Sequence, residues 1–247
     1  MNIRDTISHW QAKVMNSPPI LNLRMPDVHA EVRAIYSRVS SFTMTSPERI
    51  VGLCEAVRYV VAAGIQGDFV ECGVWRGGSS MAAAMSLMKA GDTERQLYLF
   101  DTFEGMSSPT EHDRRANDSV SAEALLHAAA SVDKIWCRAS FDDVAANMGL
   151  TGYPAEKVVL CKGKVEDTLP AYAPERIALL RLDTDWYEST RHELEQLYPR
   201  LAVGGVLIID DYGYWAGARK AVDEYFTNRP VCLNRLDKTG RIVIKTK

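Results

Sequence analysis

The chain has 247 residues, a formal net charge of -3 and 47% hydrophobic residues. This length accommodates one large α/β domain with a sizeable core, and the charge offers no broad basic surface for nucleic acid. The five cysteines are scattered, none forms a C-x-x-C pair, and the amino terminus has no apolar signal segment. No apolar run approaches the ~20 residues of a membrane span. We therefore expect a cytoplasmic protein with reduced thiols and no membrane partner.

The first 42 residues predict a helical appendage or lid, with its clearest helix over 28–39, and the main domain is expected over 43–247. Ser46, Pro47 and Glu48 then mark a helix start. A Ser cap, a Pro in the first turn and an early acid each suit the positive end of a helix. The apolar spacing carries this helix to a glycine stop.

Beyond this helix, apolar runs alternate with helical patterns. Strands are predicted over 68–74, 96–101, 157–163, 177–183 and 205–211. Helices are predicted over 78–90, 120–131, 141–149, 187–199 and 217–228. The strand runs are apolar throughout, which is typical of a parallel sheet buried on both faces. The tail, from VCLNRLD to RIVIKT, predicts an antiparallel hairpin, and the polar segment 104–135 is long enough to be a lid.

The stretch FVECGVWRGGSS, residues 69–80, predicts a strand that breaks into a glycine turn and a helix start. Such a turn suits a ligand with a negatively charged group. The next strand ends in Asp101, whose carboxylate would either bind both ribose hydroxyls of a nucleoside or cap the following turn. G-V-W-R-G-G departs from the G-x-G-x-x-G of dinucleotide sites, because Val74 and Trp75 fill the space that a pyrophosphate would need. S-adenosylmethionine, with its smaller amino-acid tail, is the cofactor that this turn favours.

Two later strand ends, LLRLDTDWYEST and GGVLIIDDYGYW, carry clustered acids. The acids are Asp183, Asp185, Asp210 and Asp211. Since ligands of open α/β sheets bind at the carboxyl ends of strands, these side chains are expected in one crevice beside the cofactor. Clustered carboxylates repel one another, and Mg²⁺ with oxygen ligands would neutralise them. The alternative is that the acids cap turns on separate loops.

Two further groups are placed to border the ligands. In CKGKVEDTLP, Gly163 allows a close backbone approach, and Val165 and Glu166 could flank an adenine ring, although Glu166 could equally be a solvated acid. After the acid pair, three aromatic residues are candidates for a substrate wall or for packing on the last helix. They are Tyr212, Tyr214 and Trp215.

These segments together resemble the macrocin O-methyltransferase family, bacterial Mg²⁺- and S-adenosylmethionine-dependent enzymes that methylate sugar hydroxyls of macrolides and aminocoumarins. The resemblance spans residues 42–228 and depends on ECGVWRGG, LDTDWYEST and IIDDY occurring in this order. It implies a class I methyltransferase fold, an α/β Rossmann-like sheet of seven mostly parallel strands with a C-terminal antiparallel hairpin. It also implies a small glycosylated or hydroxylated substrate and a homo-oligomer.

The resemblance assigns roles to individual residues. The expected cofactor-binding residues are Met44, Thr45, Glu71, Gly73, Val74, Ser79, Asp101, Thr102, Phe103, Gly163, Val165, Glu166 and Asp183. The expected metal ligands are Asp183, Asp210 and Asp211. Catechol O-methyltransferase shares this fold and uses a Lys as base soon after its first metal Asp, but no Lys follows Asp183 here. In the macrocin family the proposed base is an Asp near the metal. We expect Asp183 in that role, with Asp185 or a metal-bound water as alternatives.

Three alternatives remain open at this point. A phenolic acceptor on the same fold is possible, although the charged lid suits a sugar better. A dinucleotide-dependent oxidoreductase conflicts with the glycine pattern and with the clustered acids. A non-catalytic binding protein would not need those acids. The five histidines do not predict a catalytic base, although His112 and His127 could contact substrate from the lid.

Overall fold

The computed structural model of the chain describes residues 25–128 and 137–247. The strands are β1 Asp68–Cys72, β2 Leu97–Asp101, β3 Val158–Lys162, β4 Ile177–Leu182, β5 Leu201–Ile209, β6 Asn234–Arg235 and β7 Arg241–Ile244. The helices are α1 Ala30–Val39, α2 Pro47–Ala62, α3 Gly78–Lys89, α4 Ala122–Ala128, α5 Phe141–Gly149, α6 Val165–Thr168, α7 Tyr187–Leu197 and α8 Ala216–Phe226.

The seven strands form one sheet in the order β3-β2-β1-β4-β5-β7-β6. Strands β1 to β5 are parallel, while β7 pairs antiparallel with both β5 and β6. The predicted mixed sheet and its C-terminal hairpin are therefore confirmed. From β1 the chain builds outward to β3 and then returns to β4, so the order reverses between β1 and β4. A crevice opens at the carboxyl ends of strands beside such a reversal.

Helices cover both faces of the sheet and bury two separate apolar clusters. Neighbouring residues of a strand point to opposite faces, so Leu179 joins one cluster and Leu180 the other. Helix α2 starts as predicted, because the Ser46 hydroxyl accepts the Arg49 backbone N–H at 3.2 Å. This cap fixes the backbone at the start of α2.

The predicted appendage is only partly within the described residues, since residues 1–24 lie outside them. Helix α1 buries Val32, Ile35 and Tyr36 in the same cluster as α2 and α3. Residues 30–39 thus pack as part of the main core, and the division at residue 42 stays a prediction.

The predicted lid is described over 104–128, and residues 129–136 lie outside the described part. Helix α4 occupies its end, as the helical pattern over 120–131 predicts. The lid is docked on the domain by an antiparallel bridge between Arg115 and Trp215 and by the Ala116 N–H, which donates to the Tyr214 carbonyl at 2.8 Å. Among residues 25–128 and 137–247, no helix has the length and apolarity to cross a bilayer.

Candidate active site

A cleft lies at the carboxyl ends of β1 to β4. It brings together eight of the predicted site residues, namely Gly73, Asp101, Thr102, Gly163, Val165, Glu166, Asp183 and Asp185. Lid residues Gly105, Met106 and Ser107 cover one side of it. The remaining predicted cofactor residues do not line it; they are Met44, Thr45, Glu71, Val74, Ser79 and Phe103. Met44 is 52% exposed.

Gly73 fixes the floor of the cleft because it joins the ends of β1 and β4. Its φ is +82°, and an added Cβ would lie 2.0 Å from the Asp183 carbonyl oxygen. The adjacent Asp183 N–H donates to the Cys72 carbonyl at 2.8 Å. Only glycine fits this position without moving one of the strand ends.

Asp101 organises the two turns that border the cleft. Its Oδ2 accepts the backbone N–H groups of Val74 at 2.7 Å and Trp75 at 3.0 Å, and its Oδ1 accepts that of Phe103 at 2.8 Å. Burial raises the pKa of Asp101, and these three backbone donors oppose the rise. The turn-capping alternative is therefore observed. Each carboxylate oxygen has two lone pairs, so ribose binding is compatible with it and stays a prediction.

Glu71 is buried behind the glycine turn rather than in the wall of the cleft. Its Oε1 accepts from Arg181 Nη1 at 2.5 Å, and its Oε2 accepts from the Ser80 hydroxyl. Burial raises the pKa of Glu71 to about 7, although Arg181 and Ser80 both act to lower it. Ser80, which the sequence analysis did not single out, holds this acid, while Ser79 is buried beside it.

Asp183, Asp185 and Asp211 form a carboxylate group in which one oxygen of each lies within 4.8 Å of the others. Asp185 adopts a left-handed φ of +69°. Burial raises the pKa of Asp185 to about 7, and the nearby charge of Asp183 adds to the rise. Burial also raises the pKa of Asp211 well above its usual range, and its Oδ2 has no hydrogen-bond donor among the described residues. This excess of negative charge fits a divalent cation with oxygen ligands.

Asp210, the third predicted metal ligand, does not join that group. Its carboxylate is 2% exposed and forms ion pairs with Arg49 and Arg181. Asp210 and Asp211 follow β5, where successive side chains alternate in direction, so the two carboxylates face different neighbours. The observed group thus contains Asp185 where the prediction has Asp210. Metal binding by Asp210 stays a prediction.

Arg181 was missed in the sequence analysis although it holds much of the site together. It is the only charged residue of β4, IALLRL, in which all six positions are buried. A buried charge must be paired, so an arginine within an apolar strand was the available signal. Arg181 indeed contacts three acids, whose side chains come from the ends of β1, β4 and β5. They are Glu71, Asp183 and Asp210.

The three predicted substrate-wall residues lie in different surroundings. Trp215 acts to lower the pKa of Asp185 and packs edge-to-face on Trp186 with 4.9 Å between the ring centroids. Tyr214 packs on Trp215 at 5.0 Å and is 41% exposed. The Tyr212 hydroxyl instead donates to Asp223 at 2.8 Å, so this ring is engaged on α8. Of the three, Trp215 lies nearest Asp185, and Tyr214 packs on Trp215.

Asp113 anchors the lid, a role that its polar surroundings in the sequence did not predict. It is fully buried, and its Oδ1 accepts the Tyr187 N–H at 2.8 Å. Its Oδ2 accepts the backbone N–H and the hydroxyl of Thr110 at 2.7 and 2.8 Å. The neighbouring His112 packs on Tyr187 and lies 3.2 Å from the amine of Lys220, so it contacts protein groups.

Comparison with known proteins agrees with this geometry. The profile of the family described as Macrocin-O-methyltransferase (TylF) matches residues 11–243. The 8-demethyl-8-(2,3-dimethoxy-alpha-L-rhamnosyl)-tetracenomycin-C 4'-O-methyltransferase of Streptomyces olivaceus is 40% identical over 200 residues, or 80% of this chain and 73% of that protein. Mycinamicin III 3''-O-methyltransferase of Micromonospora griseorubida is 35% identical over 184 residues, or 74% and 69% of the two chains.

Among solved structures, the O-methyltransferase NovP is 30% identical and superimposes with a TM-score of 0.71, covering 83% of each chain. Calicheamicin methyltransferase CalS11, at 18% identity and a TM-score of 0.67, has the same fold. The expected class I methyltransferase fold is confirmed by these likenesses. The chain is an O-methyltransferase and belongs to the macrocin O-methyltransferase family.

Proposed function

We propose that the chain transfers the methyl group of S-adenosylmethionine to a sugar hydroxyl of a glycosylated natural product, with the assistance of Mg²⁺. The observation that carries the proposal is a single cleft lined by Gly73 and Asp101 together with Asp183 and Asp185, two members of the carboxylate group. The rhamnosyl tetracenomycin named for one relative supports a sugar acceptor.

In this proposal the cofactor lies along the carboxyl ends of β1 to β3. Asp101 binds the ribose with lone pairs that the turn N–H groups leave free, and Gly163, Val165 and Glu166 border the adenine. Glu71 attracts the amino group of the methionine portion from behind the glycine turn. The shared cleft supports the first two assignments, and the buried charge of Glu71 supports the third.

Asp183 and Asp211 would hold Mg²⁺, with Asp185 or Asp210 completing the protein ligands. When bound, Mg²⁺ supplies positive charge that lowers the pKa of the acceptor hydroxyl and helps to orient its oxygen. The raised pKa values of Asp185 and Asp211 and the donor-free oxygen of Asp211 support this assignment.

In this proposal a carboxylate of the chain accepts the proton of the acceptor hydroxyl. The acceptor oxygen attacks the methyl carbon, the carbon–sulfur bond breaks, and S-adenosylhomocysteine leaves with the electron pair. The hydroxyl proton passes to Asp183 or, as the alternative base, to Asp185. Trp215, with Tyr214 packed on it, would form an aromatic wall near Asp185 that excludes water and orients the sugar.

The test measures methyl transfer from labelled S-adenosylmethionine to glycosylated and to phenolic acceptors. The test variant is Asp183→Asn. The control is Asp27→Asn, which changes an exposed acid outside the cleft. We expect Asp183→Asn to lower kcat/KM by at least about 100-fold, because it removes both a ligand and a base. The control should match the wild type. An unchanged rate in Asp183→Asn would remove the site assignment, and transfer to phenols alone would replace the sugar by the phenolic alternative.

A homo-oligomeric state, a cytoplasmic location and the absence of nucleic-acid partners stay predictions. Light scattering on the purified chain checks the first of them.

A further inference from the structure

One guanidinium group lies between the cofactor side and the metal side of the site. The Arg181 side chain is 2% exposed, and its Nη1 donates to Glu71 Oε1 at 2.5 Å and to Asp183 Oδ2 at 2.8 Å. Its Nη2 donates to the Thr45 hydroxyl at 2.9 Å and pairs with Asp210. Two nitrogen atoms thus hold groups from three strand ends and from the segment before α2.

A second arginine, Arg49, contacts the metal side of the site only. Arg49, on α2, pairs with Asp210 and lies 3.1 Å from Asp237. None of its contacts among the described residues reaches Glu71 or Asp183. Asp210 is therefore shared by two arginines, whereas Arg181 is the arginine that holds Glu71.

Because the two arginines make different contacts, their loss should have different effects on the site. A planar guanidinium fork fixes the orientation of several carboxylates at once, which the single ammonium of a lysine cannot reproduce. A cation that is already paired with a carboxylate also competes with any metal ion for the same oxygens. Loss of the fork should therefore misplace Glu71, while loss of Arg49 should leave Asp210 paired with Arg181 alone.

We propose that Arg181 is a positioning residue that orients Glu71 toward the amino group of the cofactor. We also propose that Arg49 acts with Arg181 as an internal counter-cation that holds Asp210 until a divalent cation takes its place. This inference rests on the proposed function, since it takes Glu71 as a cofactor contact and Asp210 as a metal ligand. It predicts that loss of Arg181 weakens cofactor binding, whereas loss of Arg49 strengthens metal binding and leaves cofactor binding unchanged.

The experiment is calorimetric titration of three full-length variants with S-adenosylhomocysteine in chelator, and separately with Mg²⁺ alone. In Arg181→Lys, the Kd for S-adenosylhomocysteine should rise about tenfold, the effect of losing one charge-assisted hydrogen bond. In Arg49→Gln, the Kd for Mg²⁺ should fall by about threefold or more, and that for S-adenosylhomocysteine should stay within about twofold of the wild type.

Arg95→Lys is the matched control. Arg95 also forms a part-buried ion pair, with 2.6 Å between its Nε and Asp92 Oδ2, and neither residue lines the cleft. It should leave both Kd values unchanged, and circular dichroism and Tm would verify that each variant is folded. A purely structural role for the arginines would weaken both ligands in both variants.

Weaker Mg²⁺ binding in Arg49→Gln, or wild-type affinity for S-adenosylhomocysteine in Arg181→Lys, would overturn the inference while leaving the proposed function standing. If Arg181→Lys does not fold, the Arg49→Gln result decides the role of Arg49, and Glu71→Gln, which weakens the contact with Arg181, replaces Arg181→Lys and should likewise raise the Kd for S-adenosylhomocysteine. A wild-type chain that binds neither ligand would overturn the proposed function itself.

Discussion

At the scale of single residues, the site depends on a few atoms that the backbone holds very close together. The Gly73 turn touches the Asp183 carbonyl, and one guanidinium bridges acids from three strand ends. Conservative substitutions at these positions should therefore have large effects on stability or binding, whereas equivalent substitutions elsewhere should not.

Gly73→Ala should destabilise the fold far more than Gly91→Ala. The two glycines have similar φ values, +82° and +78°, but the added Cβ would meet the Asp183 carbonyl at Gly73 and open space at Gly91. The left-handed conformation alone costs about 1–2 kcal/mol, and the steric clash should add at least about 2 kcal/mol at Gly73. Urea unfolding measures both. Equal free energies of unfolding would show that the contact between β1 and β4 is not tight.

Stability should depend on pH through the buried acids. The pKa of Asp185 rises from 3.8 to about 7, so the folded chain binds this proton more tightly than the unfolded chain. Its contribution to the free energy of unfolding is therefore lost as the pH rises from about 4 to about 7. Asp185→Asn cannot ionise, so its Tm relative to the wild type should increase between pH about 5 and about 8 in chelator.

Asp27→Asn serves as the control for that series, and Mg²⁺ should diminish the difference between Asp185→Asn and the wild type at the higher pH. A Tm difference that stays constant across the pH range would contradict the raised pKa of Asp185.

The residues differ in how well the sequence predicts them. Asp101, Asp183 and Gly73 could be located because each follows a buried apolar run, and strand ends meet at one edge of a parallel sheet. Asp210 could not be separated from Asp211 in this way, because alternation of side chains sends adjacent residues to different neighbours. The partner that holds Asp210, Arg181, is brought near only by the tertiary fold.

At the scale of elements, the lid is docked on the domain by contacts that are distant in sequence. Asp113 joins the segment before α4 to the first residue of α7, and it lies against Gly217 at the start of α8. Local pattern predicts a long polar connection here but not its anchor, because the burial of Asp113 depends on two helices that follow much later in the chain.

Asp113→Ala should release this lid. The substitution leaves the backbone N–H groups of Thr110 and Tyr187 without their acceptor, which costs about 1–3 kcal/mol for each buried donor. Trypsin should then cleave after Arg114 or Arg115 faster than in the wild type, and the KM for the acceptor should rise. Glu111→Ala changes an exposed acid of the same segment and should do neither. Equal cleavage rates in the two variants would show that Asp113 does not hold the lid.

The ends of helices and strands are predictable where local interactions set them, and unpredictable where tertiary contacts do. The start of α2 was predictable because Ser46 and Pro47 act within one turn. The nine-residue β5 starts at Leu201 rather than near 205, although Gly204 and Gly205 interrupt its apolar run. Backbone hydrogen bonds to Lys245 extend it, since Gly204 donates to that carbonyl at 2.7 Å and Gly205 accepts from its N–H at 2.9 Å.

At the scale of the whole molecule, the order of the strands brings the site together. The reversal between β1 and β4 places the glycine turn, Asp101, Asp183 and Asp185 around one crevice. The alternation of buried strands and helices predicts such a crevice without giving the strand order. The apolar face of helix α1 packs into the shared core, and the division of the chain at residue 42 stays a prediction.

The most direct test of the central claim is calorimetric titration of S-adenosylhomocysteine into the purified chain, with Mg²⁺ and then with chelator. The arrangement around Gly73 and Asp101 predicts saturable binding at one site per chain. The absence of binding in both conditions would contradict the assignment of the cleft to the cofactor, and the glycine turn would then be an ordinary feature of an α/β sheet.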